Sequence, residues 1–459
     1  MTLGGVDVRA VAMRMTVRRR EDLAPMLAVG CASFVVSAVL IFTLGHYTPQ
    51  VDSAGYENIA RSIANGHGIA TTAVDPRTGH LLVAPSTFRA PLYPIALSPA
   101  FAIDGLQSAR LWTAAFGAVA VMLLFALVRD LWGKRPALAA AALGAVYPPL
   151  LVCNVSLLTE PLFLCFELVA LLGLLRFHRH PGLGWPAAIG VSVGLASLTR
   201  SNGLAILPLA MLGLWWACKD RRRATAAAAV TLATTALTLT PWIVRNEVVL
   251  GHFLPTTSEA GYSLITVLND QSRAHGGEPD DGVWGPDIAS AAGISEQRLE
   301  QPAVWFTLDG VKIGQKQLDK SLRYIWAHPG YAVWASALNV LRSLNLAPGE
   351  YTGFGPYGTL GIPRSPIWSL LLPATYLVYA LALLGAVALL RRRELARLPL
   401  SLYVIPVVLL LSTGLVAGVM RYRVPLDPLL LAFAGLGLSA WSSRLTAFAR
   451  PRTLVHGRA

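Results

Sequence analysis

Ten apolar stretches, at about 25–44, 111–128, 136–152, 157–175, 186–199, 203–218, 224–244, 367–390, 398–419 and 424–443, leave this chain few ways to fold other than as helices in a bilayer. The composition agrees, since 54% of residues are hydrophobic and only 14% charged. The pattern predicts an all-α polytopic membrane protein. The 186–199 and 203–218 stretches are short for a hydrocarbon core that takes about 20 residues to cross. A further piece, 91–103, opens Pro91-Leu92-Tyr93-Pro94 and carries Pro99, so it reads as half-inserted.

Orientation follows from the bias of Lys and Arg toward cytoplasmic loops. Arg9, Arg14, Arg18 to Arg20, the Arg129/Lys134/Arg135 loop, Arg176 and Arg179, Lys219 to Arg223, Arg391 to Arg397 and the tail after 443 then all fall inside. More than half of the 38 basic residues lie in these short segments, so the net charge of +13 is mainly a topology signal. Nucleic acid is thereby excluded as a partner. The first span is too long for a signal peptide and lacks a small-residue cleavage site, which makes it an uncleaved anchor.

The soluble-enzyme signatures are missing. There is no Walker-type loop, HExxH or GxSxG, and Cys31, Cys153, Cys165 and Cys218 show no ligand or disulfide spacing. Chemistry therefore has to come from carboxylates and arginines in the outer loops. Two of these loops are large: about 46–90 and 246–366. In the first, Tyr56, Ile59, Ala60 and Ile63 repeat at one-face helical spacing, and Asn65-Gly66 would stop that helix. Asp52 stands where an N-cap would, and capping is its simplest local role. In the second loop, helices are predicted through about 327 and near 331–346. The run around Glu278 to Asp287, with Pro279, Gly282, Gly285 and Pro286, reads as a cover that opens and closes.

Asp52-x-x-x-Tyr56-x-x-Ile59-Ala60 with Asn65-Gly66-His67-Gly68 resembles the first outer loop of the GT-C glycosyltransferases, in the bacterial branch related to protein mannosyltransferases and aminoarabinose transferases. Other pieces follow in the order of that family: Arg89-Ala90-Pro91-Leu92-Tyr93-Pro94, Tyr147-Pro148, Thr159-Glu160-Pro161, Thr199-Arg200, Pro241-Trp242-x-x-Arg245-Asn246, His328-Pro329 and Arg421-Tyr422-Arg423-x-Pro425. One departure is that many relatives carry Asp-Glu where this chain has Asp52-Ser53.

The resemblance implies a GT-C-type fold of about 10–12 transmembrane helices in the bacterial cytoplasmic membrane, with the active site facing outward. It divides the chain into a 1–24 tail, a 25–245 catalytic module with its 46–90 loop, the 246–366 outer loop, the 367–443 helices and a 444–459 tail. The activity it implies is transfer of a sugar from a polyprenyl-phosphate donor, with inversion, to a hydroxyl of a lipid, glycan or protein acceptor. Asp52 would be the general base. Arg200, Arg245, Arg421 and Arg423 would hold the donor phosphate, against the alternatives of interfacial snorkelling and, for Arg423, an ion pair with Asp427 four residues on. Glu160 would position the acceptor or, with Asp52, hold a divalent cation such as Mg or Mn, unless it is only a first-turn acid stabilised by the helix dipole. Tyr56 and Glu167 are candidates to line the cavity; an acid within a span usually faces a cavity or partner. His67 is left out of the catalytic set, Trp242 reads as an interfacial anchor, and the sequon-like Asn154-Val155-Ser156 is discounted. Two other classes compete: a transporter or flippase of a lipid-linked saccharide, and a noncatalytic envelope scaffold.

Overall fold

A computed structural model describes residues 2–3, 6–50, 52–74, 78–279, 308–349, 367–391, 393 and 398–449. The chain is almost wholly helical. After a two-residue ladder of β1 (Thr2–Leu3) against β2 (Val6–Asp7), α1 (Val8–Thr43) leads to α2 (Asp52–Ala64) and the antiparallel hairpin β3 (Ala70–Val74) and β4 (Leu81–Pro85). Then come α3 (Leu92–Ile103), α4 (Leu106–Trp132), α5 (Lys134–Val146), α6 (Pro148–Val155), α7 (Glu160–Arg179), α8 (Gly184–Thr199), α9 (Ile206–Ala217) and α10 (Arg221–Leu250). The second loop contributes α11 (Glu259–Ile265), α12 (Asp270–Ala274), α13 (Leu308–Ala327) and α14 (Pro329–Ser343). The chain closes with α15 (Ile367–Arg391), α16 (Ser401–Ser412) and α17 (Asp427–Ala449). The glycine- and proline-containing run at 282–286 lies outside the described residues.

Every apolar stretch of the sequence lands on a helix. Six helices are long and apolar enough to cross a membrane, and α5 with α6 makes a seventh if that pair, bent by 55°, is one span. The bend falls at Tyr147-Pro148-Pro149, where two prolines cannot donate to the preceding turn. The stretches at 186–199, 203–218 and 398–419 form shorter apolar helices, as does the piece at 91–103. Just past the end of the last of the three, Asn339 of α14 donates to the Gly414 carbonyl at 3.0 Å. The bundle is thus a multi-pass membrane protein.

Close helix approach rests on small residues. A Cβ on Gly385 of α15 would lie 2.0 Å from the Phe433 carbonyl oxygen of α17, and one on Gly437 would lie 2.2 Å from that of Leu381. Two arginines are wholly buried. Arg110 of α4 donates to the Val155 carbonyl at 2.8 Å and the Ile41 carbonyl at 3.3 Å, satisfying backbone groups near the ends of α6 and α1. Arg423 is held by Asp427, Tyr379 and Tyr147.

The two ends of the bundle differ. At one, Asp22 pairs with Arg129 at 3.0 Å and Asp130 with Arg176 at 2.8 Å, which joins the ends of α1, α4 and α7. The opposite end carries α2, the β hairpin and the start of α7. There Asn58 grips β3 through two 2.8 Å bonds with the Thr72 backbone, fixing the hairpin to α2.

Candidate functional site

Six charged side chains from six segments meet at this end. Asp52 is the first residue of α2, yet its carboxylate does not cap the helix. Oδ1 accepts from Arg89 Nη2 at 2.5 Å, and Oδ2 accepts from Arg421 Nη2. Ser53 handles the local backbone instead, its hydroxyl accepting from Gln50 N and donating to the Gln50 carbonyl, both at 2.8 Å. The capping role read from sequence is therefore corrected: the acid faces two cations 37 and 369 residues away.

Arg89 bridges. Its other terminal nitrogen donates to Glu259 Oε1 at 2.8 Å, so one guanidinium joins the first loop to the opening of α11. Beside this triad, Arg200 Nη1 donates to Glu160 Oε1 at 2.7 Å and to Thr159 Oγ1 at 3.0 Å. The two groups share Tyr422, whose ring centre lies 5.7 Å from the Arg200 guanidinium carbon and 5.1 Å from that of Arg421. Tyr56 completes the wall, edge-on to Tyr93 at 5.2 Å and under Arg89 at 5.5 Å.

The charges tune one another. Burial pushes the Asp52 carboxyl up, but Arg421 and Arg89 outweigh it and hold the group well below the usual carboxylate range. Burial keeps Glu259 above its ordinary value despite Arg89. Asp52 is therefore ionised at neutral pH.

Other sequence candidates lie elsewhere or act differently. Arg245 donates to the Ser86 carbonyl at 3.1 Å and the Ile69 carbonyl at 2.8 Å, stapling α10 to the chain on either side of the hairpin. Arg423 is fully buried, with Nε on Asp427 at 3.0 Å, Nη1 on Tyr379 at 3.0 Å and Nη2 on Tyr147 at 2.8 Å. Each of its nitrogens thus has a partner within the bundle, Asp427 among them. Glu167 is also buried, and neither of its carboxyl oxygens has a hydrogen-bond partner among the described residues. Trp242 is not an interfacial anchor: it is 4% exposed and its indole donates to the Thr256 carbonyl at 2.6 Å. Asn154 is buried, consistent with discounting the sequon.

Residues 89–244 match the family model of the dolichyl-phosphate-mannose-protein mannosyltransferases. The crystal structure of the Archaeoglobus fulgidus oligosaccharyltransferase in the apo form matches with a TM-score of 0.51 and 15% identity, over 93% of this chain and 51% of its own. The chain thus shares its fold with that oligosaccharyltransferase, and its 89–244 segment is similar to the mannosyltransferase family. The same oligosaccharyltransferase, tethered with an acceptor peptide, matches at a TM-score of 0.50 and 16% identity over 91% of this chain and 50% of its own. ArnT from Cupriavidus metallidurans shows 16% identity over 90% and 78% of the two chains, with a TM-score of 0.38. The chain spans about half the length of the oligosaccharyltransferase chains. No curated protein matches its sequence.

Both Asp52 oxygens and Glu160 Oε1, which could serve a divalent ion, are engaged by arginines. No cluster of three His, Cys, Asp or Glu side chains occurs among the described residues. Two site members had no assigned role in the sequence reading. Arg89 was visible in its motif, where an outward arginine beside Ala-Pro runs against the positive-inside bias. Glu259 has no local signal, because only the fold brings it to a residue 170 positions earlier.

Proposed function

We propose that the chain transfers a monosaccharide from a polyprenyl-phosphate donor to an acceptor hydroxyl, with inversion, at the outer face of the bacterial cytoplasmic membrane. The observation that carries this reading is the Asp52 carboxylate, held by one arginine on each oxygen and adjoining the Arg200–Glu160 pair. The matched family of residues 89–244 is named for a lipid-phosphate sugar donor, which supports the same donor class. Placement of the site outside agrees with the basic segments at the opposite ends of the spans.

The acceptor oxygen attacks the anomeric carbon while the bond from that carbon to the phosphate oxygen breaks. The bonding electrons leave with the polyprenyl phosphate, and the acceptor proton passes to Asp52. Arg421 and Arg200 are suited to the phosphate, since planar guanidinium groups hold two oxygens at once and stabilise the growing charge. A phosphate that draws Arg421 away frees Oδ2 of Asp52, so donor binding also releases the base. Glu160 keeps Arg200 oriented through their 2.7 Å contact. Arg245 and Arg423 act as braces in this account, and Tyr56 forms part of the wall.

The gathering of six charged side chains at one end of the bundle favours transfer at that face over transport. Arg421→Ala tests the donor role: the KM for a polyprenyl-phosphate sugar is expected to rise about tenfold or more, the scale of one lost charge-assisted bond. An unchanged donor KM would remove Arg421 from the phosphate site.

A further inference from the structure

The long loop between α10 and α15 is stitched into the cluster by three consecutive residues. The Thr257 hydroxyl lies 2.8 Å from that of Ser201, next to Arg200. The Ser258 backbone N–H donates to the Thr87 carbonyl at 3.0 Å, and the two hydroxyls of that pair lie 3.2 Å apart. Glu259 then accepts from Arg89 at 2.8 Å. Behind them, Gly261 touches α13 so closely that a Cβ would sit 1.9 Å from the Gly314 carbonyl oxygen. Glu259 is thus fixed from several directions rather than carried on a free loop.

Of the three carboxylates in the cluster, Glu259 is the most open, its side chain 29% exposed against 15% for Asp52 and 2% for Glu160. Its Oε2 accepts no hydrogen bond among the described residues. Asp52 and Glu259 sit on the two terminal nitrogens of one guanidinium, so they stand side by side facing the same space. An acceptor hydroxyl delivered to Asp52 has a second acceptor group beside it.

Resting on the transferase reading above, we propose that Glu259 orients the acceptor by receiving a second hydroxyl next to the reacting one, so that the acceptor is a sugar with neighbouring hydroxyls rather than a serine or threonine of a protein. Asp52 takes the proton of the attacking hydroxyl. Glu259 stays unchanged through the reaction and sets the angle of attack.

The test uses the full-length protein in proteoliposomes with a labelled polyprenyl-phosphate sugar and crude envelope material as acceptor. Mild periodate cleaves neighbouring diols, and pretreating the envelope material with periodate, then quenching it, is expected to cut transfer to under about a tenth. Proteinase K pretreatment is expected to leave transfer intact. In Glu259→Gln, the half-saturating amount of envelope acceptor rises about tenfold, the loss expected for one hydrogen bond to a charged group. Glu259→Asp regains part of the transfer. Transfer that survives periodate but not proteinase K would assign a protein acceptor and overturn the proposal. A Gln variant that loses donor binding and hydrolysis in parallel would make Glu259 a structural brace, and one that transfers normally would leave it no role. If the wild type releases no polyprenyl phosphate with untreated material, the transferase reading itself fails.

Discussion

Asp52→Asn is expected to lower the turnover of sugar transfer by about 10²- to 10⁴-fold, the range over which a positioned general base contributes. The substitution keeps the shape of the side chain and removes its capacity to take a proton. It also leaves Arg89 and Arg421 without the anion they share. Arg421 is then uncompensated while Arg89 keeps Glu259, and a free guanidinium attracts a phosphate more strongly, so donor affinity is expected to hold or improve while turnover collapses. A merely structural Asp52 would behave differently, weakening donor binding along with turnover. The pH dependence has a definite sign. Because the carboxyl sits below its ordinary value of about 3.9, its contribution to stability is complete above that pH and is lost only as pH falls through the lower folded value. Thermal unfolding of wild type and Asp52→Asn in detergent is therefore expected to differ by a constant amount across the neutral range and to converge only in strong acid.

The second large effect concerns stability. Arg423→Ala is expected to destabilise the bundle by about 3–5 kcal/mol, because it leaves the carboxylate of Asp427 buried without its cation. Both side chains are 0% exposed, so water cannot take the place of the lost partner. The same change strips donors from Tyr379 and Tyr147, which ties the loss to α15 and to the α5–α6 bend. Replacing both members of the pair with apolar residues, Arg423→Met with Asp427→Leu, should recover much of the stability, since the desolvation cost of two charges disappears with them. Unfolding of the purified variants in detergent measures both effects. A single variant as stable as wild type would show that Arg423 is not the structural pin described here.

These two arginines stand two residues apart and show where sequence reading succeeds and where it stops. The clustering of Asp52, Glu160, Arg200 and Arg421 was legible because charged residues at span ends in a chain this apolar need a reason to be there. Arg421 and Arg423 share a motif and a side of the membrane, but a turn of helical backbone aims one at Asp52 and the other into the bundle. The acid four residues after Arg423 carried the correct hint. For Arg245 the partners are backbone carbonyls of the first loop, which sequence cannot mark. Glu259 was invisible for a related reason: its importance comes from a contact with Arg89 across 170 residues of chain. The helices themselves were easier, since a span announces itself by length and apolarity. The break at Pro148 depended on local proline chemistry.

Transfer and transport of a lipid-linked sugar separate in one experiment. Wild-type protein in sealed vesicles, given a labelled polyprenyl-phosphate sugar and envelope acceptor, should release free polyprenyl phosphate in step with label entering the acceptor, one for one. Movement of the intact labelled lipid across the bilayer, with no free polyprenyl phosphate formed, would contradict the account and make the arginine cluster part of a transport path.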